Sequence, residues 1–188
     1  ERCRLEIQNS LTRLRALPST AEEARSAAAA FGASSRASTG SDFTDAAFLD
    51  GQGTQDAEVL VLATHGVLGL SSCFAEPALL ASVGPNGDGL IEASELLERN
   101  LKARLVILSA CDTAGGGGAA VADQGLADGG EALSGLARAF IYAGAPSIIA
   151  TQWPVDASAS ALQTGLLLRT AANGSIPVAQ ALGAAQAQ

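Results

Sequence analysis

The sequence predicts an α/β fold with a mostly parallel sheet and helices on both of its faces. Two observations carry that expectation. Short, nearly unbroken apolar runs at 58–64, 104–110 and 146–152 each end just before a chemically capable residue, and helical patterns separate them. Runs of this kind fit strands buried on both faces. Their alternation with helices fits right-handed parallel crossovers, and in such sheets ligands bind beyond the carboxyl ends of the strands.

The elements follow in order. Residues 2–16 are polar with loosely spaced Leu and Ile and declare no element; 1–16 reads as an N-terminal remnant or linker, and the domain as 17–188. Leu17-Pro18-Ser19-Thr20 opens a helix, with Ser19 or Thr20 as cap, Glu22 and Glu23 in its first turn, and Gly32 at its end. A small polar loop covers 33–40, and a short capped helix lies within 42–49. The first strand, Glu58 to Thr64, runs into His65-Gly66. A loop containing Gly and Pro precedes a helix from Glu92 to Arg99, and the second strand, Arg104 to Ala110, stops at Cys111. A helix from Glu131 to Ala143 ends at Gly144. The third strand, Pro146 to Gln152, stops at Trp153, and helices follow from about Ala157 to Ala171 and from Pro177 onward.

Composition narrows the function. At 188 residues the chain fits one domain. Apolar residues at 48% against 16% charged describe a packed protein, and aromatics at 4% imply a core of Leu, Val, Ile and Ala. A net charge of −8 and a single lysine, Lys102, leave no basic stripe for phosphates, which excludes direct nucleic-acid binding. Cys3, Cys73 and Cys111 make an odd set without paired spacing, which suits a working thiol in a reducing compartment better than a disulfide framework. No apolar run reaches membrane-spanning length and no secretory leader is legible. The expectation is a cytoplasmic chain without a membrane partner. It opens on Glu, which reads as an excised piece of a longer protein.

His65 is the sole histidine. A lone histidine is commonly structural, but this one directly follows an apolar strand and precedes a glycine, at the edge where ligands bind. Cys111 ends its strand and is followed by Asp112-Thr113 and a glycine-rich stretch, whereas a packing cysteine normally sits within the strand. A thiol needs a neighbouring base to become a good nucleophile, and His65 on the adjacent strand supplies one. The backbone N–H groups of Gly66 and Cys111 are then candidates for an oxyanion hole.

Four segments, Ala63-Thr64-His65-Gly66, Leu108 to Thr113, Gly130 to Phe140 and Gln152 to Asp156, together resemble the CHAT domain. That is the caspase-like module found with tetratricopeptide repeats and related to separases. The resemblance covers roughly 17–188, with the blocks in the family's order. It implies a caspase–haemoglobinase-like three-layer sandwich, a His65/Cys111 dyad, a protein substrate and regulation by a tetratricopeptide-repeat region. It also implies a further strand upstream of Leu17, of which 2–8 would be the remnant. The loop from Gly115 to Gly129 is longer and richer in Gly and Ala than the family pattern, and is expected to move and to gate access.

Four residues join the dyad as substrate-binding candidates. The resemblance puts Trp153 and Asp156 beside the pocket for the residue preceding the cut. Asp156 would pair with a basic side chain there or cap the helix at Ala157, and the two roles are compatible. Asp112, beside the nucleophile, is a pocket residue or simply solvated. Ser109, two residues before Cys111, shares its strand face and would line the pocket floor.

Asn86-Gly87-Asp88-Gly89 through Glu95 imitates the later half of a calcium loop, but Gly84 stands where the first carboxylate belongs. A turn followed by a capped helix start explains the same residues, so no calcium is expected. Gly115 to Gly118 lack the Lys-Ser/Thr ending of a phosphate loop, and a single histidine argues against zinc. No metal or cofactor is expected. The leading functional expectation is a cysteine endopeptidase; the alternatives are a catalytically silent interaction module on the same fold and a different thiol hydrolase such as an amidase.

Overall fold

The structure, a computed structural model, describes residues 9, 14, 16–67, 76–85, 87–109, 129–150, 157–172 and 177–187. Among them, α1 (Pro18–Phe31), α2 (Asp45–Leu49) and α3 (Gln52–Gln55) precede the first strand, β1 (Val59–Ala63). Next come β2 (Gly66–Val67), β3 (Ala78–Leu80), β4 (Leu90–Glu92), α4 (Ala93–Leu97) and β5 (Leu105–Ser109). Then follow α5 (Gly129–Tyr142), β6 (Ile148–Ala150), α6 (Ala157–Ala172) and α7 (Val178–Gln186).

β1, β5 and β6 form a parallel sheet in that order, as the apolar runs predict. The central strand, Leu-Val-Ile-Leu-Ser, is buried over Leu105 to Leu108, while β1 and β6 are mostly half-buried. Continuous hydrophobicity reports two-sided burial only where a strand has neighbours on both edges and cover on both faces. Alternate residues point to opposite faces, and they divide into two cores. Leu60, Leu62, Val106, Leu108, Ile148 and Ala150 join Leu136, Ala139 and Phe140 of α5 with Phe48, Leu49 and Leu96. Val59, Val61, Leu105, Ile107 and Ile149 join Ala27 of α1, Leu167 and Leu168 of α6, and Ala181 and Ala185 of α7.

Two helix details differ from expectation. Pro18 occupies the first turn of α1, and the Thr20 hydroxyl donates to the Leu17 carbonyl at 2.7 Å, so neither Ser19 nor Thr20 caps it. Starting the helix at Pro18 moves Glu22 and Glu23 beyond the first turn, and Glu23 is buried. The short helix at α2 does carry its cap: Thr44 Oγ1 accepts from the Ala47 amide at 3.1 Å. α5 ends where Gly144 takes φ 117°, a value rare for side chains; a Cβ there would also lie 2.6 Å from the Leu101 carbonyl oxygen. Within α5, Gly135 lets the helix approach Pro77, whose Cγ would be 2.6 Å from an added Cβ.

The connection from β1 to β5 holds a feature that the sequence reading omits. β2, β3 and β4 form a small antiparallel sheet, with Gly66 opposite Leu79, and Leu79 opposite Ile91. Strands of two or three residues carry no usable periodicity, and this region is dense in Gly and Pro.

Candidate functional site

His65 lies between β1 and β2 and is 7% exposed. β3 holds the segment from two directions: the Thr64 hydroxyl donates to the Leu80 carbonyl at 2.6 Å, and the Leu80 amide donates to the His65 carbonyl at 2.8 Å. The Leu80-to-His65 bond flanks the Gly66–Leu79 pair, which is therefore a non-hydrogen-bonded pair of the antiparallel ladder, with the Gly66 amide directed away from β3.

β5 supplies the other side. In the β1–β5 register Ala63 stands opposite Ser109. Ser109 Oγ donates to Glu23 Oε2 at 3.1 Å and shares a 2.7 Å hydrogen bond with Ser160 Oγ. Glu23, Ser160 and Thr164 are all buried. Burial pushes the Glu23 carboxyl above its ordinary range, and the hydroxyls of Thr164 and Ser109 oppose that shift. Sequence reasoning missed this cluster. The signal was present: Glu23 and Ala27 share one helical stripe, as do Ser160 and Thr164, and a charged residue on a stripe facing the core is the informative exception.

Cys111, Asp112, Trp153 and Asp156 lie outside the described residues, as do Cys3, Cys73, Asn86, the 2–8 segment and the Gly115–Gly129 loop up to residue 128. Of the candidate site residues, the structure describes His65, Gly66 and Ser109.

The calcium-loop look-alike resolves into a turn and a cap. The Asp88 and Gly89 amides donate to Asp45 Oδ2 at 2.9 and 3.1 Å, and Asp88 Oδ1 accepts from the Leu90 amide at 3.0 Å. Glu95 Oε2 accepts from the Glu92 amide at 2.9 Å, half of a capping box in which the Glu92 side chain accepts in return from the Glu95 amide. Among the described residues no group of three or more His, Cys, Asp and Glu is arranged to hold a metal ion. No described helix is long and apolar enough to cross a membrane.

Partial burial, then the nearby charges of Glu76, Glu95 and Asp88, push the Glu92 carboxyl up to about 7 from 4.5. A folded state that binds this proton more tightly than the unfolded one gains stability at low pH. That contribution is complete below pH 4.5 and is lost as pH rises through about 7. Glu92→Gln, which preserves an accepting oxygen for the cap, is therefore expected to be no more stable than wild type at low pH. It should gain on it progressively toward pH 8, about one unit above that pKa. Urea denaturation at a series of pH values measures the difference; parallel stability curves would refute the shift.

A three-stranded parallel sheet flanked by helices, with a histidine segment clamped past one strand, places the chain among the α/β proteins. The chain belongs to the CHAT domain family, whose sequence model matches residues 6–188. The family is caspase-like and peptidase-related. Comparison with curated proteins and with solved structures gave no match.

Proposed function

We propose that the chain is a cysteine endopeptidase in which Cys111 is the nucleophile and His65 its base. Family membership supports the class, and the β1–β5 register is the observation that carries the pairing. Ala63 stands opposite Ser109; His65 comes two residues after the first and Cys111 two after the second. Equal offsets past a registered pair favour proximity, since adjacent strands lie about 4.8 Å apart. The wider architecture, on this reading, is a caspase–haemoglobinase-like three-layer sandwich.

The reaction divides acyl transfer into two steps. The Cys111 sulfur attacks the scissile carbonyl carbon as His65 takes the thiol proton. The oxyanion is held by the backbone N–H groups of Gly66 and Cys111. Collapse expels the amine, protonated by His65, and leaves a thioester. Water, deprotonated by His65, then attacks, and the carboxylic acid leaves as the thiolate is restored. Asp112, Trp153 and Asp156 complete the substrate side, with Ser109 in the pocket floor. A repeat region of the same polypeptide or a partner regulates the site, in the cytoplasm, without a cofactor.

The test is cleavage of an unfolded protein panel by wild type and Cys111→Ala, each with and without the repeat region. Fragments from wild type alone are expected. Equal cleavage by both proteins, or none from wild type with the repeats present, overturns the assignment.

A further inference from the structure

Of the polar cluster at the end of β5, the reading above uses only Ser109, and leaves the buried Glu23, Ser160 and Thr164 without a role. Glu23 is 2% exposed, Ser160 7% and Thr164 6%, and with Ser109 they join α1, β5 and α6 at a single point. A hydroxyl has one proton to give. If Ser109 donates to the Glu23 carboxylate, Ser160 must donate to Ser109; if Glu23 carries the proton, it can donate to Ser109 and the chain can reverse. The Thr164 hydroxyl favours the charged form, yet among the described residues Glu23 Oε1 has no partner in normal hydrogen-bond geometry.

No cation answers this carboxyl from the described elements around it. β1 and β5 carry no charged residue within their spans, nor does α7. α6 carries one, Arg169, which is exposed. On α1 itself the single arginine, Arg25, is exposed and donates to Thr39 Oγ1 at 3.2 Å, while Glu22 is exposed. A buried carboxylate with only hydroxyls to oppose its desolvation is costly, and the neutral form suits the site better.

We infer that Glu23 is a positioning residue: through Ser109 and Ser160 its protonated carboxyl sets the carboxyl end of β5, and so the approach to the nucleophile two residues beyond. Ionisation leaves an uncompensated charge beneath Ser109 and loosens that strand end. This rests on the reading of Cys111 as nucleophile for its functional consequence, but the effect on β5 does not.

Two measurements on the full chain separate these parts. The first is amide hydrogen exchange at Leu108 and Ser109, corrected for intrinsic rates, in wild type, Glu23→Gln and Ser109→Ala between about pH 5 and about pH 8. Wild type is expected to lose protection as pH rises over that range. Glu23→Gln, an uncharged isostere, should hold its protection, and Ser109→Ala should lose the pH dependence because the link is cut. Identical pH dependence in wild type and Glu23→Gln overturns the inference. The second is the rate of Cys111 alkylation by iodoacetamide over the same range. A rate in wild type that departs from simple thiol titration, and follows it in Glu23→Gln, supports the positioning role; coincident profiles overturn it. If the thiol is never more reactive than in the unfolded chain, the peptidase reading fails while the exchange result still decides the role of Glu23 in β5.

Discussion

His65→Ala is expected to lower turnover of a cleaved peptide by about 10²- to 10⁴-fold, the usual contribution of a positioned acid–base group. The substitution removes the ring but not the backbone arrangement that holds it. The Thr64 hydroxyl and the Leu80 amide bind main-chain and neighbouring atoms that alanine leaves in place. The loss should therefore fall on kcat, beyond the lowering of the unfolding midpoint that truncating a buried ring brings. The check is steady-state kinetics beside urea denaturation of the same protein. Full turnover in His65→Ala, with Cys111 still required, would remove His65 from the chemistry.

Asp45→Ala is expected to produce the largest loss of stability among polar substitutions, about 2–5 kcal/mol, because it strands the buried Gly89 amide and the half-buried Ala46 and Asp88 amides, a fully buried one costing roughly 1–3 kcal/mol. Asp45 is 5% exposed, and its carboxylate accepts from Asp88 and Gly89 across 43 and 44 residues and from Ala46 beside it. It ties α2 to the turn that leads into β4. β4 supports β3, and β3 clamps the His65 segment. Activity should fall with stability, and Asp45→Asn, which retains one accepting oxygen, should recover part of both. Urea denaturation reads the first and peptide turnover the second; a destabilisation under about 0.5 kcal/mol would show that the turn does not depend on this carboxylate.

The contrast between what can and cannot be read from the residues is physical. Leu105 to Leu108 declare a strand because two-sided burial demands an unbroken apolar run. Helices α5 and α6 are legible to within two residues because their length sustains a pattern and Gly144 stops the first. β2, β3 and β4 are not, since their pairing is set by Thr64, Leu80 and Asp45, which meet only after the chain has folded back. The Glu92–Glu95 cap is visible as a local alternative to calcium binding, its spacing being a capping signature. The sequence reading gives Glu23 to a helix dipole that a displacement of the cap from Ser19 or Thr20 to Leu17 removes; its true partner, Ser109, lies 86 residues away. Of the site, His65 and Gly66 stand out through their place after β1. How β3 orients them is not legible in the residues, because it depends on non-local hydrogen bonds.

The central claim is a His65-activated nucleophile at Cys111. It is tested most directly by an electrophilic peptide probe, with the adduct mapped by mass spectrometry in wild type, His65→Ala and Cys111→Ala. The account predicts a single adduct on Cys111 in wild type, formed about 10²-fold or more slowly in His65→Ala and absent from Cys111→Ala. Labelling on Cys3 or Cys73 at the same rate as on Cys111, or a rate on Cys111 indifferent to His65, would contradict it.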